Sequence, residues 1–229
     1  MTKGKGLVGI AVVLSAWALV WAQPQTLDLS FEGDLYLSHV SEGLDGLGSY
    51  RQESVVVRVQ PNAEGGSDEL RQVESRVVAA NGDSSSFSSN DVMPGFSIAG
   101  SQHHVSGRNF VVNHAGETPT CNEAPALQPL GPLETGVADL TGFREATLAA
   151  AGETVNRLLA DRYDLVHAQD ITSFSDLRGE LWVASDGGFI VRYSIEGVTP
   201  SGVRTHWTYD LLDVGATPTV ELPEVCPAL

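Results

Sequence analysis

One stretch near the C-terminal end constrains the fold more than any other part of the sequence. Two runs rich in β-branched and aromatic residues, 179–184 and 189–195, flank Asp186-Gly187-Gly188. Asp-Gly and Gly-Gly accept the positive φ angles of tight hairpin turns, so this pattern predicts a β-hairpin. Closure by a two-residue loop places Trp182 on the same face as Tyr193, whereas a three-residue loop breaks that pairing.

A further strand is predicted directly after this hairpin, over residues 203–214. In it Trp207 and Tyr209 alternate with His206 and Thr208, which is the period of a strand with one buried face. The C-terminal part of the chain is therefore expected to be a three-stranded antiparallel meander with one aromatic face.

The first 22 residues have the composition of a secretory signal peptide. Lys3 and Lys5 precede the apolar run Leu7 to Val20, and Ala22 stands before Gln23-Pro24. We therefore expect cleavage near Ala22 and a secreted or periplasmic protein, with one domain over residues 23–229. The alternative is an uncleaved membrane anchor. No cysteine stands at the cleavage site to carry a lipid.

The remainder of the chain is strongly acidic. The full chain has 29 acidic residues and a formal charge of −16, and its lysines, Lys3 and Lys5, both lie in the predicted signal peptide. Nucleic-acid binding requires a cationic face, so nucleic acid is excluded as a partner. A lysine-free chain also cannot hold the phosphate-binding loop that ends in Gly-Lys. The charge favours solubility outside the cell over a cation-binding role.

The two cysteines, Cys121 and Cys226, both follow the signal peptide. In an exported chain an even count predicts a disulfide, here one that ties the C-terminal tail to the middle of the chain. Redox catalysis favours a close Cys-x-x-Cys pair, and metal binding requires more ligands, so the bond is expected to be structural.

The N-terminal half is expected to begin with a helix and a hairpin. The apolar spacing over residues 34–48 predicts an amphipathic helix. Two alternating runs, 50–59 and 69–79, predict a long hairpin around a Pro/Gly turn, with Val73 and Val77 facing inward and the intervening polar residues facing solvent.

The middle of the chain carries weaker patterns. The serine-rich stretch 80–91 is expected to be a loop, short strands are expected at 96–98, 103–106 and 109–112, and the proline-rich stretch 118–132 is expected to be a loop pinned by the disulfide. Residues 139–167 fit either a helix or strands. A short helix is expected over 171–177.

Several short motifs together resemble a known group of exported bacterial proteins. They are Ser49-Tyr50-Arg51 after a helix, Gly152-Glu153-Thr154-Val155-Asn156 before Arg162-Tyr163, Gly179 to Gly188, and Tyr209 to Val214 before a tail that ends at Cys226. The combination resembles the LolA-like superfamily of lipoprotein carriers, which includes LppX and LprG. The resemblance covers nearly all of the mature chain. Over residues 139–167 it implies a short helix or loop before Gly152 and a hairpin after it.

This resemblance implies an α+β fold that is mainly antiparallel β. A curved open sheet, or half-barrel, would carry helices packed across its concave face and enclose an apolar cavity for acyl chains. The implied function is non-catalytic binding or carriage of a lipid or lipoprotein, without a cofactor, by a monomer whose partners include membrane-associated proteins. The expected ligand-binding residues are Leu181, Trp182, Val183, Phe189, Val191, Tyr193, Trp207 and Tyr209. For each of them, an ordinary core position is the alternative.

Other functions have less support in the sequence. His103 and His104 with His114 are candidate metal ligands, but adjacent residues of a strand point to opposite faces, and no carboxylate stands at a fixed spacing. No Gly-x-Ser-x-Gly nucleophile motif occurs. No metal site and no enzyme are therefore expected. The alternative function is an extracytoplasmic interaction or sensor module without a ligand cavity.

Overall fold

The computed structural model describes residues 25–29, 40, 43–116, 118–125, 143–167, 174–216 and 218–227. These residues form a 12-stranded sheet in which all neighbouring strands are antiparallel. The strands are β1 (Thr26–Asp28), β2 (Tyr50–Pro61), β3 (Ser67–Val78), β4 (Ser84–Met93), β5 (Phe96–Val105), β6 (Arg108–Asn113), β7 (Thr120–Glu123), β8 (Phe143–Val155), β9 (Leu158–His167), β10 (Asp176–Ala184), β11 (Ile190–Val198) and β12 (Arg204–Leu212).

Two meanders joined side by side make up this sheet. Strands β2 to β7 follow one another in space, as do β8 to β12, and the order across the sheet is β1-β8-β9-β10-β11-β12-β2-β3-β4-β5-β6-β7. The meanders meet where β12 pairs with β2, with Trp207 opposite Val56. The chain therefore leaves one edge of the sheet after β7 and re-enters near the opposite edge at β8.

The expected α+β class is wrong. Within the described residues the helical structure is one 3-10 helix, Leu44–Gly46, and no helices pack across the sheet. No helix in this part of the chain is both long and apolar enough to cross a membrane. The 3-10 helix occupies the end of the expected helix 34–48, most of which lies outside the described residues. The fold class is an open antiparallel β-sheet.

The three predicted hairpins are confirmed. Strands β2 and β3 pair along their whole length around a loop at 62–66. Strands β8 and β9 are joined at Asn156 and Arg157, which both have positive φ angles, 51° and 71°. The meander β10-β11-β12 forms as expected, with Trp207 and Tyr209 buried on one face.

Several weaker local predictions are wrong, and in each case strand pairing overrides local propensity. The serine-rich stretch forms β4, because β3 and β5 hydrogen-bond to both of its sides. The Leu/Ala-rich stretch before Gly152 belongs to β8, which pairs with β1 and β9. The described end of the expected helix 171–177 begins β10. Short strands expected at 96–98 and 103–106 are one continuous strand, β5.

The two faces of the sheet have different compositions. We call the face that carries Trp207 and Tyr209 the core face, and the opposite one the outer face. Across β8 to β12 and β2 the core face is apolar and buried. On β3 and β4 it is mainly polar: Gln72 of β3 lies opposite Val56 of β2, and Asn90 of β4 lies opposite Gln72. The expectation that Val73 and Val77 face inward is therefore wrong: they share the outer face.

The predicted disulfide between Cys121 and Cys226 is confirmed, with Cα atoms 5.0 Å apart. It joins β7, the last strand at its edge of the sheet, to the C-terminal tail that follows β12. Since disulfides persist in oxidising compartments, this bond supports the expected extracytoplasmic location.

Candidate functional site

Seven of the eight residues predicted to bind a ligand lie in the buried cluster on the core face. None of the seven is more than 7% exposed. They are Leu181, Val183, Phe189, Val191, Tyr193, Trp207 and Tyr209. Strand alternation on β10, β11 and β12 brings the strand members of this set together, because their registers place Leu181 opposite Tyr193 and Tyr193 opposite Tyr209.

Trp182 is the eighth predicted residue, and it occupies the other face. The loop between β10 and β11 is longer than two residues, since the Ala184 N–H donates to the Phe189 carbonyl oxygen at 2.9 Å. A register shift between Trp182 and Val183 adds a bulge, and Trp182 lies opposite Arg192. The expectation that Trp182 shares a face with Tyr193 is therefore wrong.

On the outer face Trp182 joins a row of polar side chains. Its indole Nε1 donates to Glu153 Oε2 at 2.8 Å, and the guanidinium of Arg192 lies 5.9 Å from its ring centroid. Arg192 in turn donates to Asp210 Oδ1 at 2.7 Å, and Arg162 donates to Glu153 Oε1 at 3.3 Å. These contacts link β8 to β12 in sequence, so we assign this row a structural role.

Glu153 provides a pH-dependent test of that row. The hydrogen bond from Trp182, followed by the one from Arg162, lowers the pKa of Glu153 below its ordinary value of 4.5. Because the folded-state pKa is lowered, this carboxylate stabilises the fold above its ordinary pKa, and the contribution is lost as the pH falls through the lowered value. The emission of Trp182 is therefore expected to titrate with a midpoint below 4.5.

That titration is measurable by fluorescence in a chain that starts at Gln23 and carries Trp207→Phe, where Trp182 is the sole tryptophan. Adding Glu153→Gln removes the titrating group and keeps an acceptor oxygen, so it should abolish the step. A step that persists in the glutamine variant would assign it to another group.

Polar groups on the core face are few, and one set is bonded internally. Gln52 Nε2 donates to Tyr209 Oη at 3.0 Å, and Tyr209 Oη donates to the Val40 carbonyl oxygen at 3.3 Å. Gln52 and Tyr209 are fully buried, and burial raises the pKa of Tyr209. Gln52 is not among the residues predicted from the sequence. Its only local signal is its place two residues before Ser54, in the alternating pattern of β2.

Trp207 differs from these groups. Its Nε1 is buried and has no hydrogen-bond partner among the residues that the structure describes. Its ring contacts Phe174 edge-to-face, with centroids 5.3 Å apart. Nearby, Tyr193 and Tyr209 stack at 5.5 Å. The core face thus combines apolar and aromatic surface with one buried donor that no described acceptor satisfies.

The three histidines considered as metal ligands do not converge. His103 Nε2 and His114 Nε2 lie 2.9 Å and 3.4 Å from Ser101 Oγ, whereas His104 bonds Asn109 on the opposite face. Burial, then the proximity of His114, lowers the pKa of His103. No group of three or more His, Cys, Asp and Glu suited to a metal ion occurs within the described ranges.

No protein-family model and no curated protein matches this chain. Solved structures do match. A domain from Vibrio parahaemolyticus named for outer-membrane lipoprotein sorting is 9% identical with a TM-score of 0.25, covering 75% of this chain and 88% of that one. A LolA superfamily protein from Nitrosomonas europaea is 11% identical with a TM-score of 0.22, covering 77% of this chain and 88% of that one.

MucB, solved in complex with MucA(peri), is 14% identical with a TM-score of 0.33, and the match covers 84% of this chain and 60% of that chain. The chain is therefore similar to solved structures that include a LolA superfamily protein. Because every one of these TM-scores is below 0.5, no ligand, partner or site geometry is transferred from those proteins.

Proposed function

We propose that this protein is an exported, non-catalytic binding protein that takes up an apolar ligand, a lipid or the acyl chain of a lipoprotein, against the core face. The motif resemblance favours this class of function. The core face offers the matching chemistry, since its apolar surface is continuous over β8 to β12 and β2. Burial of an acyl chain there would contribute about 25 cal/mol for each Å² removed from water.

The observation that carries the proposal is the buried indole N–H of Trp207, which has no hydrogen-bond partner among the described residues. A buried indole N–H without an acceptor costs free energy, and a ligand carbonyl or carboxylate oxygen would satisfy it while the acyl chain lies on the surrounding apolar side chains. Side chains outside the strands, among them Val40, Leu44 and Phe174, now pack in the same cluster. An entering acyl chain would take the place of such contacts.

The proposal of a non-catalytic role rests on how the polar groups of the core face are used. Gln52 and Tyr209 bond each other, and buried Asp161 accepts the Gly152 N–H at 2.8 Å. General acid–base catalysis requires a titrating group aimed at a substrate position. These groups are instead aimed at one another and at the backbone.

A second candidate function is an interaction or sensor module with a solid core. The aromatic contacts favour it, because Tyr193 stacks on Tyr209 and Phe174 packs against Trp207. A packed core of this kind leaves binding to the surface of the sheet. The two candidates differ in whether Trp207 meets a ligand.

The two tryptophans that follow the signal peptide separate these candidates, because one lies on each face. In a chain starting at Gln23, Trp182→Phe leaves Trp207 as the sole tryptophan, and Trp207→Phe leaves Trp182. Addition of a brominated fatty acid or brominated phosphatidylcholine monomer is expected to quench Trp207 saturably. It should leave Trp182 nearly unchanged, because Trp182 lies on the opposite face of the sheet.

Native mass spectrometry provides the second measurement, on the natural protein purified from a host that exports it. A co-purified lipid mass that disappears in Val191→Arg, while the folded charge-state distribution is retained, would support ligand binding. Equal quenching of both tryptophans, or no uptake of lipid by a folded protein, would contradict the proposal and leave the packed interaction module.

A further inference from the structure

The end of the β4–β5 hairpin exposes an unusual amount of apolar surface. Four large apolar side chains within seven residues are about half exposed: Val92 (48%), Met93 (55%), Phe96 (52%) and Ile98 (52%). We call residues 91–98 the hairpin tip. Such a concentration of exposed apolar side chains marks an interaction site in a soluble protein.

The backbone pairing of β4 and β5 with their outer neighbours ends before the hairpin tip. The pairing of β4 with β3 ends at Asn90, opposite Gln72, and the pairing of β5 with β6 ends at Gly100, opposite Asn113. Beyond these pairs, the described strand pairs of the tip join β4 to β5: Asn90 with Ile98, Asp91 with Ser97 and Met93 with Phe96. Entry of the tip's apolar side chains into another phase would therefore break none of the described backbone pairs with β3 or β6.

The tip is also amphipathic. Met93 lies opposite Phe96, and Ile98 follows two residues later, so these three side chains share one side. The other side carries Asp91, whose carboxylate accepts the Ser97 hydroxyl and, at 2.9 Å, the Arg71 backbone N–H. The sequence 92–98, Val-Met-Pro-Gly-Phe-Ser-Ile, contains no charge. The carboxylate of Asp91, the only one in the hairpin tip, is thus hydrogen-bonded on the side opposite the apolar side chains.

Size and charge decide what this tip can bind. Half of four side chains amounts to on the order of a few hundred Å², well below the roughly 800 Å² per partner of a stable protein interface. A bilayer surface has no such minimum area, because each apolar side chain that enters it contributes separately. The chain carries a formal charge of −16, which disfavours an anionic bilayer.

We propose that the hairpin tip docks this protein on a neutral, zwitterionic lipid bilayer by inserting Met93, Phe96 and Ile98 into the interface. Asp91 and Ser97 then face the water side. The inference concerns a site that shares no residue with the buried cluster of the core face and does not depend on ligand uptake there.

Sedimentation with phosphatidylcholine vesicles tests this proposal, using the chain that starts at Gln23. We expect the natural chain to sediment with the vesicles and M93S/F96S to partition at least about tenfold more weakly. The matched control is L159S/V166S, which also removes two exposed apolar side chains, 58% and 44% exposed, but on β9. This control should sediment like the natural chain. Vesicles with added phosphatidylglycerol should bind less.

A direct readout places a tryptophan in the tip. In the background Trp182→Phe with Trp207→Phe, Phe96→Trp should show a blue-shifted emission on vesicle addition and quenching by bilayer-embedded brominated lipid. Unchanged urea midpoints would show that the variants are folded, as expected for substitutions at half-exposed positions.

Three outcomes would overturn the proposal. The natural chain could fail to sediment with neutral vesicles, the two double variants could lose binding equally, or the tip could mediate a dimer that M93S/F96S dissociates in light-scattering measurements. The Trp207 quenching assay is independent of the tip. A chain that binds brominated lipid monomer but not vesicles would therefore contradict docking alone.

Discussion

Replacing both Cys121 and Cys226 with serine is expected to lower the free energy of unfolding by about 4 kcal/mol. The bond closes a loop of 105 residues, and a cross-link of that span removes much of the conformational freedom of the unfolded chain. Urea unfolding at 25 °C, followed by tryptophan emission in the chain that starts at Gln23, measures the change.

The position of the disulfide explains why its loss should have so large an effect. β7 is four residues long and lies at the edge of the sheet, and the tail residues 213–227 add no strand of their own among the described residues. The bond is therefore the covalent anchor for both segments. Val112, fully buried, lies directly opposite Cys121.

Reduction of the natural chain is the control for the serine substitutions. The reduced natural protein and the double serine variant should have the same urea midpoint, and reductant should not affect the variant. A loss below about 1 kcal/mol would mean that the unfolded chain keeps these segments together without the bond.

Turn chemistry and strand alternation made part of this fold predictable. The glycines after Asp186 defined one hairpin, and the period-two pattern placed Trp207 and Tyr209 on the buried face. The hairpin after Gly152 was predicted from the motif resemblance. The disulfide followed from an even cysteine count in an exported chain. These signals are local turn residues, the alternation within a strand and the number of cysteines. None of them requires knowledge of which strands pair.

The remaining strands are determined by pairing that the local sequence does not show. The serines of β4 favour loops and the leucines and alanines of β8 favour helices, yet each strand has hydrogen-bonded neighbours on both sides. Trp182 was assigned to the wrong face because a bulge of a single residue reverses the alternation. Differences in local propensity amount to less than about 1 kcal/mol per residue. Hydrogen bonding to a neighbouring strand on each side outweighs differences of that size.

The candidate site likewise contains residues that could be predicted from the sequence and residues that could not. Its apolar residues could be predicted, because they alternate along three consecutive strands. Gln52 could not, since its partner Tyr209 is 157 residues away in the sequence. The contact of Glu153 with Trp182 likewise depends on the register of β8, β9 and β10, in which several shifts occur.

Substitution of Gly179 by alanine is expected to destabilise the fold by about 3 kcal/mol. Gly179 lies in β10 opposite Ile195, and a Cβ atom there would be 2.7 Å from Ile195 Cγ1 and 2.8 Å from the Ser194 carbonyl oxygen. The side chain could rotate away, but the carbonyl belongs to the ladder between β10 and β11. Relief of that contact therefore requires β10 and β11 to separate next to the buried Ile195.

A second strand glycine provides the matched control for this prediction. At Gly100 in β5 an added Cβ would meet only the Val112 carbonyl oxygen, at 3.4 Å, so Gly100→Ala should change the free energy of unfolding by less than about 1 kcal/mol. Urea unfolding of both variants measures the difference. Because each substitution adds one methyl group to a strand, equal effects would show that strand conformation, and not the Ser194 contact, governs the loss. A large loss at Gly179 alone would establish that close approach of β10 and β11 holds Leu181 and Tyr193 in place on the core face.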